Sequence, residues 1–238
     1  MSLRHLRVAN LSKTFGRQRA LVDISLVFAP GEVTAVVGPN GAGKTTLLAI
    51  LSTLVRPTSG ALSLGDEALS GSPAARATIG YVGHEPGVYP ELSARQNLRL
   101  FASLYDLTDA EDRIEAMLGR VDLADVRSDL PARAYSRGML QRLGLARALL
   151  HSPEILLFDE PSSALDPMGA RWLVDELLRE RQAGRLVVLV THDLDAAAQV
   201  ASHLVVIRRG RVALDRTQPE GFPVAEVRAL YQEAVRDS

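Results

Sequence analysis

A glycine-rich stretch with a lysine and a threonine at fixed spacing carries the clearest chemical signal. Gly38-Pro39-Asn40-Gly41-Ala42-Gly43-Lys44-Thr45-Thr46 has the spacing G-x-x-x-x-G-K-T. Such a loop turns its backbone N–H groups toward a phosphate chain, its lysine reaches the outer phosphates, and its hydroxyl ligates Mg²⁺. Lys13 and Lys44 are the only lysines in the chain, which indicates that position 44 needs a compact ammonium. We therefore predict a nucleotide site here and disfavour a merely flexible turn.

Two carboxylates follow an apolar run and supply a second half for this site. Asp159 and Glu160 come directly after Ile155–Phe158, which reads as a buried strand. Ligands of α/β proteins bind at the carboxyl ends of such strands. There Asp159 can hold Mg²⁺, directly or through water, opposite Thr45, and Glu160 can polarise an attacking water. The alternative is that the two carboxylates are merely a solvent-exposed strand end. The glycine-rich loop upstream makes this alternative less favoured.

Two further residues are ambiguous when they are considered alone. Phe15 lies in the turn Lys13-Thr14-Phe15-Gly16, where the residues by themselves favour an aromatic side chain that caps the core. His192 follows the strand Leu186–Val190 and reads by itself as a histidine that caps the next helix.

The surrounding elements are those that could position these groups. Strand Val33–Val37 leads into the glycine-rich loop, and the residues after it begin a helix. Strands and helices alternate again from Ile155 to about Ala201, which predicts a mostly parallel sheet covered on both faces. We expect an α/β fold: a P-loop NTPase core with a mostly parallel sheet, an N-terminal antiparallel β subdomain and an inserted α-helical subdomain at about 90–150. An amphipathic helix over Pro223–Val235 closes the chain.

Composition excludes several classes of protein. The 238 residues are 47% hydrophobic with a net charge of −1, so nothing favours nucleic acid or anionic lipid as a partner. The absence of cysteine excludes disulfides and metal thiolates. No apolar run approaches the roughly 20 residues of a membrane span, so we expect a soluble chain.

An ordered set of motifs resembles the ATP-binding subunits of ATP-binding-cassette transporters over about residues 3–215. The set comprises Phe15, the glycine-rich loop, the loop at His84, Tyr135-Ser136-Arg137-Gly138-Met139, the Asp159-Glu160 strand, Ser163-Ala164-Leu165-Asp166 and Thr191-His192-Asp193. Generic P-loop proteins lack the central pentapeptide and the closing histidine. The resemblance implies an ATPase domain at 1–215, with the helical insert at about 90–150, and a helical extension at 216–238.

The resemblance also implies a role for each matching residue. Phe15 would stack on adenine, which reverses the core-capping interpretation. Ser136 and the N–H of Gly138 would grip the γ-phosphate held by a second copy, and Asp166 would lie along the dimer seam. His192 would contact the γ-phosphate and couple to Glu160. In full, the implied nucleotide-binding residues are Phe15, Gly38, Pro39, Asn40, Gly41, Ala42, Gly43, Lys44, Thr45, Thr46, Ser136, Gly138 and Asp166; the metal-site residues are Thr45, Asp159 and His84; the catalytic residues are Glu160, His192 and His84.

The implied cofactors and partners follow from the same resemblance. ATP and Mg²⁺ would bind between two ATP-binding subunits, identical or paralogous, arranged head to tail. A separate transmembrane permease would hold this chain at the inner, cytoplasmic face of the membrane, docked between the His84 loop and the helical insert. No nucleic acid is expected.

Two departures from the family pattern narrow the resemblance. The pentapeptide is usually Leu-Ser-Gly-Gly-Gln, and the position of His84 usually carries glutamine, which links Mg²⁺ and water to the permease. A neutral imidazole can offer one donor or one acceptor there. Both departures look like haem exporters of cytochrome c maturation, so haem export is the predicted transport function. Drug or multidrug efflux is the alternative, and a cassette ATPase without a transport role is a weaker one.

Overall fold

Ten strands and eight α-helices make up the described part of the chain. The structure is a computed structural model that describes residues 4–69, 71–126, 130–163 and 165–236. The strands are β1 (Leu6–Phe15), β2 (Gln18–Phe28), β3 (Val33–Val37), β4 (Ser59–Leu64), β5 (Glu67–Ala68), β6 (Ile79–Val82), β7 (Ile155–Asp159), β8 (Leu186–Val190), β9 (His203–Arg208) and β10 (Arg211–Thr217). The helices are α1 (Lys44–Leu51), α2 (Pro73–Arg76), α3 (Ala94–Leu104), α4 (Ala110–Arg120), α5 (Arg137–Leu149), α6 (Pro167–Gln182), α7 (Leu194–Val200) and α8 (Val224–Val235), with a 3₁₀ turn at Ala132–Ala134.

Two sheets organise these elements. The larger has the order β10-β9-β3-β8-β7-β6 and is parallel except for the β9–β10 pair. Every residue of β3, β7 and β8 is buried, which explains why these strands read as continuous apolar runs. The smaller sheet, β2-β1-β4-β5, is antiparallel. The predicted α/β class with an N-terminal antiparallel sheet is confirmed.

The apolar side chains form cores on both faces of the parallel sheet. One cluster joins residues of both sheets with four side chains of α1, so the antiparallel sheet and the parallel sheet enclose that helix. A second cluster packs α5 and α6 against the other face. A third lies among α3, α4 and α5, so the helical segment between β6 and β7 has a core of its own. Within the described ranges, no helix is long and apolar enough to cross a bilayer.

Several predicted boundaries need correction. β1 runs to Phe15, although register shifts against β2 interrupt the alternation of its side chains. The proposed division at residue 215 cuts β10, which continues to Thr217 on β9. Helix α2 went unpredicted, since it is one short turn with no buried side chain. Ala164 of the Ser163–Asp166 motif lies outside the described residues, as do residues 1–3, 70, 127–129 and 237–238.

Candidate functional site

The glycine-rich loop joins the buried end of β3 to the N-terminus of α1. Among the described residues, no side chain caps this helix and no acidic residue lies in its first turn. The first N–H groups of the helix therefore face the loop with the positive end of the helix dipole behind them. Gly43, just before the helix, has φ of 108°. A Cβ atom there would lie 2.6 Å from the Ala20 carbonyl oxygen of β2, so the close approach of β2 to the loop requires glycine.

Lys44 is almost completely buried at the first turn of α1. Its exposure is only 8%, and its Nζ donates hydrogen bonds to the carbonyl oxygens of Gly38 at 2.8 Å and Pro39 at 3.1 Å. Burial lowers the pKa of the ammonium, while Glu160 and Asp159 oppose that shift. The ammonium thus bends back over the loop, where an anion in the loop would replace carbonyl dipoles as its partner.

Thr45 and Asp159 bring a hydroxyl and a carboxylate together across the site. The Thr45 Oγ1 lies 3.5 Å from the Asp159 Oδ1. Asp159 ends β7 and is 4% exposed; burial raises the pKa of its carboxyl, and the Thr45 hydroxyl partly offsets this. Hard oxygen ligands of this kind suit Mg²⁺. A bound cation would also lower that pKa again, so the donor set fits the predicted metal.

Glu160 and His192 form the most specific contact of the site. The Glu160 Oε2 lies 2.8 Å from the His192 Nδ1, and the Glu160 N–H donates to the Val190 carbonyl oxygen at 2.9 Å. Glu160 has φ of 51°, in the left-handed region that non-glycine residues seldom occupy. The end of β8 therefore holds Glu160 through both its backbone and its side chain.

His84 is exposed in the loop after β6. A positive charge on its ring would lower the pKa of the Asp159 carboxyl, more weakly than Thr45 and Lys44 do. The described residues contain no cluster of three His, Cys, Asp or Glu side chains that could hold a metal ion. The predicted metal site therefore needs the Thr45 hydroxyl as a ligand in addition to Asp159 and His84.

Ser136 and Asp166 lie on one cleft away from the glycine-rich loop. The Ser136 Oγ caps α5 by accepting the Met139 N–H at 3.2 Å, and the Asp166 Oδ1 caps α6 by accepting the Gly169 N–H at 2.7 Å. Gly138, Met139, Arg142 and Leu165 complete the lining of this cavity of about 300 Å³. The sequence analysis did not predict Arg142 as a site residue. Its position one turn after Met139 on α5 could have indicated that both residues line the same cleft.

Phe15 ends β1 beside the turn to β2 and is 50% exposed. This exposure does not fit a side chain that caps the core. Lys13, which the sequence marked only as one of two lysines, lies with its Nζ 4.8 Å from the Phe15 ring centroid. β2 continues from this turn to Ala20 beside Gly43, so the hairpin that carries Phe15 adjoins the glycine-rich loop.

The structure thus gathers the predicted residues into two places. Residues 38–46, Asp159, Glu160 and His192 share the edge of the parallel sheet, with His84 and Phe15 at its border. Ser136, Gly138 and Asp166 line the separate cleft.

Known proteins resemble this chain in both sequence and fold. The family described as "ABC transporter" matches residues 21–163. The chain is 39% identical over 90% of its length, and 69% of the relative's, to daunorubicin resistance ATP-binding protein DrrA3 of Streptomyces coeruleorubidus. It is 35% identical over 87% of its length, and 69% of the relative's, to glycine betaine uptake system ATP-binding protein YehX of Escherichia coli. A dimeric post-hydrolysis ATP-binding cassette bound to ADP and Pi superposes with a TM-score of 0.81 and 26% identity, over 91% of this chain and 100% of that one.

Proposed function

The chain belongs to the ABC transporter family and is an ATPase, and from that premise we propose that it is the nucleotide-binding subunit powering a separate membrane permease. The contact between Glu160 and His192 at 2.8 Å, at the edge that also carries the Lys44 loop, is the observation that most supports nucleotide hydrolysis at this site. A carboxylate fixed in this way is suited to orient a water molecule against a phosphate chain held by the loop.

The residues at this edge of the sheet have distinct proposed roles in ATP hydrolysis. The loop N–H groups and Lys44 bind the phosphates of ATP. Thr45 and Asp159 would hold Mg²⁺, which would supply positive charge beside the phosphates when bound. Glu160 accepts a proton from the attacking water, and His192 keeps the Glu160 carboxylate in place. Because each group is fixed by backbone or side-chain contacts, little reorganisation is needed when charge develops in the transition state.

A head-to-tail dimer completes the proposed site. The Ser136 and Gly138 cleft lies apart from the chain's own glycine-rich loop, so its α5 N-terminus is free to face the phosphates bound by a second subunit. Asp166 lines the same cleft and would lie along the seam. The dimeric cassette bound to ADP and Pi supports such an assembly; identical or paralogous subunits would both satisfy it.

We also propose that a permease partner holds the chain at the inner face of the membrane. We place the docking groove between the His84 loop and α3–α5, so that His84 relays the state of the γ-phosphate to the permease. His84→Ala should weaken the stimulation of hydrolysis by the permease more than it lowers basal hydrolysis, whereas His84→Gln should preserve both. Equal stimulation of all three proteins would make His84 a bystander.

The proposed transported substrate is haem, and a drug is the alternative. Haem export was predicted from the His84 loop and the Tyr135–Met139 pentapeptide. The relatives compared above are named for daunorubicin resistance and glycine betaine uptake, so they support neither haem nor a single direction of transport. Drug efflux is therefore kept as the alternative substrate class.

Purification together with the permease tests this proposal. ATP hydrolysis by the complex in lipid vesicles should require Mg²⁺ and should vanish on its removal with EDTA. Haem should stimulate hydrolysis if the haem prediction is correct, and daunorubicin should do so if the drug alternative is. Hydrolysis that persists in the Lys44→Ala complex would contradict the proposed site itself.

A further inference from the structure

Lys13 is held against one face of the exposed Phe15 ring. Its Nζ lies 4.8 Å from the ring centroid and donates a hydrogen bond of 2.7 Å to the Arg56 carbonyl oxygen. The parts of the chain that the structure describes place no carboxylate in ion-pair contact with this ammonium. The charge of Lys13 is therefore directed at a carbonyl dipole and at an aromatic ring.

Backbone contacts anchor this strand end to the segment that follows α1. The Thr58 N–H donates to the Ser12 carbonyl oxygen at 2.8 Å, and the Thr14 N–H donates to the Thr58 Oγ1 at 3.0 Å. Arg56, which accepts from Lys13, lies in the same segment. The position of the ammonium is thus fixed relative to α1, the helix that begins at Lys44.

Resting on the ATP site proposed above, we propose that Lys13 is a positioning residue for the adenine base, which it serves by holding Phe15. A cation is attracted to the negative face of an aromatic ring. Lys13 takes one face of the Phe15 ring, and the other face stacks on the base. Since an exposed aromatic side chain at a turn would otherwise sample several rotamers, a ring held in advance binds with a smaller loss of entropy.

Substitution of Lys13 should change nucleotide affinity without changing turnover. Lys13→Met keeps the length and apolar stem but removes the charge, so KM for ATP should rise about two- to fivefold, as expected for a cation–π contact at an exposed site. Lys13→Arg should remain within about twofold of the wild type, because a guanidinium also stacks on a ring. Thermal melts of both variants show whether a change in KM accompanies a loss of folded protein.

A double-mutant cycle tests whether Lys13 acts through Phe15. In the Phe15→Ala background, Lys13→Met should raise KM no further. Inorganic tripolyphosphate, which has no base, should inhibit the wild type, Lys13→Met and Phe15→Ala with equal affinity and should fail to bind Lys44→Ala. If Lys13→Met weakens tripolyphosphate as much as ATP, or keeps its full effect without Phe15, the proposal is overturned. Undiminished ATP binding by Lys44→Ala would contradict the ATP site and the Lys13 proposal with it.

Discussion

Glu160 is held in an unfavourable backbone conformation by two neighbours at the end of β8. Its φ of 51° costs of order 1 kcal/mol or more for a non-glycine residue. The hydrogen bonds to the Val190 carbonyl and to the His192 ring compensate for this. Strain that the surrounding structure maintains at a site edge is typical of a group whose direction matters for function.

The first prediction concerns His192. Since His192 fixes the Glu160 carboxylate, His192→Ala should lower kcat by roughly tenfold or more, short of the 10²–10⁴ that removing a general base costs, with a smaller change in KM. His192→Asn, which can still donate to Glu160, should recover part of the rate. Steady-state kinetics of the purified chain measure both. An alanine variant with wild-type kcat would show that the contact has no catalytic role.

At the scale of elements, buried carboxylates on α6 connect the helical segment to the parallel-sheet core. Glu176 and Glu180 are each 2% exposed, and both pair with Arg120 at the end of α4. Arg179 also pairs with Glu176, and Arg185 with Glu180. These ion pairs thereby join α4 to α6, the helix that Asp166 caps.

The second prediction follows from this network. Removing one partner of a buried ion pair leaves a charge without compensation and typically costs about 3–5 kcal/mol. Arg120→Met should therefore lower the free energy of unfolding by a large part of that amount. The loss should be less than the full amount, because Arg179 and Arg185 still pair with the two carboxylates. Adding Glu176→Gln and Glu180→Gln should restore some stability. Urea denaturation at pH 7 measures the unfolding free energies of the wild type, Arg120→Met and the triple variant. An unchanged unfolding free energy in Arg120→Met would show that the pairing is not stabilising.

A half-buried histidine lies just past the C-terminus of α5, against the residue that follows α3. The His151 ring stacks on Tyr105 at 3.9 Å between centroids with an angle of 7° between the planes, and its Nε2 lies 3.1 Å from the Ile79 carbonyl oxygen. Burial, with the nearby Arg147, Arg185 and Arg113 charges, lowers the pKa of His151 from 6.5 to about 4.

The third prediction is the pH dependence that results. Between pH 6.5 and about 4 the unfolded chain binds a proton at His151 that the folded chain does not. Protonation of His151 in the unfolded chain therefore lowers the free energy of unfolding as pH falls from 6.5 to about 4. Above pH 6.5 this loss of stability is absent. His151→Phe, which keeps the stacking, should show a shallower fall of the unfolding free energy between pH 7 and 4. Equal slopes in urea titrations of both proteins would contradict the assignment.

Features fixed by local spacing could be predicted from the sequence, and features that depend on long-range side-chain contacts could not. The path of residues 38–46 follows from the glycines and the flanking strand and helix, and Ser136 as a cap follows from its place before α5. Arg120 and Glu180 are 60 residues apart, and no periodic pattern in the sequence predicts their contact. The contact of Lys13 with Phe15 was missed for a different reason, because bulges hide which side chains of β1 share a face.

At the scale of the whole molecule, the two places that hold the predicted residues account for the proposed dimer. One edge carries the glycine-rich loop, the Thr45–Asp159 pair and the Glu160 carboxylate, and the separate cleft carries the N-terminus of α5. Two subunits related by a two-fold axis would each supply one half of two equivalent sites. ATP would then bind at the interface, so that dimerisation depends on ATP and dissociation on its hydrolysis.

The fourth prediction tests this central claim most directly, by measuring assembly and turnover together in Glu160→Gln. The amide keeps the size of Glu160 but cannot accept a proton, so hydrolysis should fall by about 10²–10⁴ while Mg²⁺-ATP still binds. Size-exclusion chromatography with light scattering should show Glu160→Gln as a dimer in Mg²⁺-ATP and a monomer without it. Lys44→Ala, the matched control, should stay monomeric in both conditions. A Glu160→Gln protein that hydrolyses ATP at the wild-type rate, or that remains monomeric with bound ATP, would contradict the account.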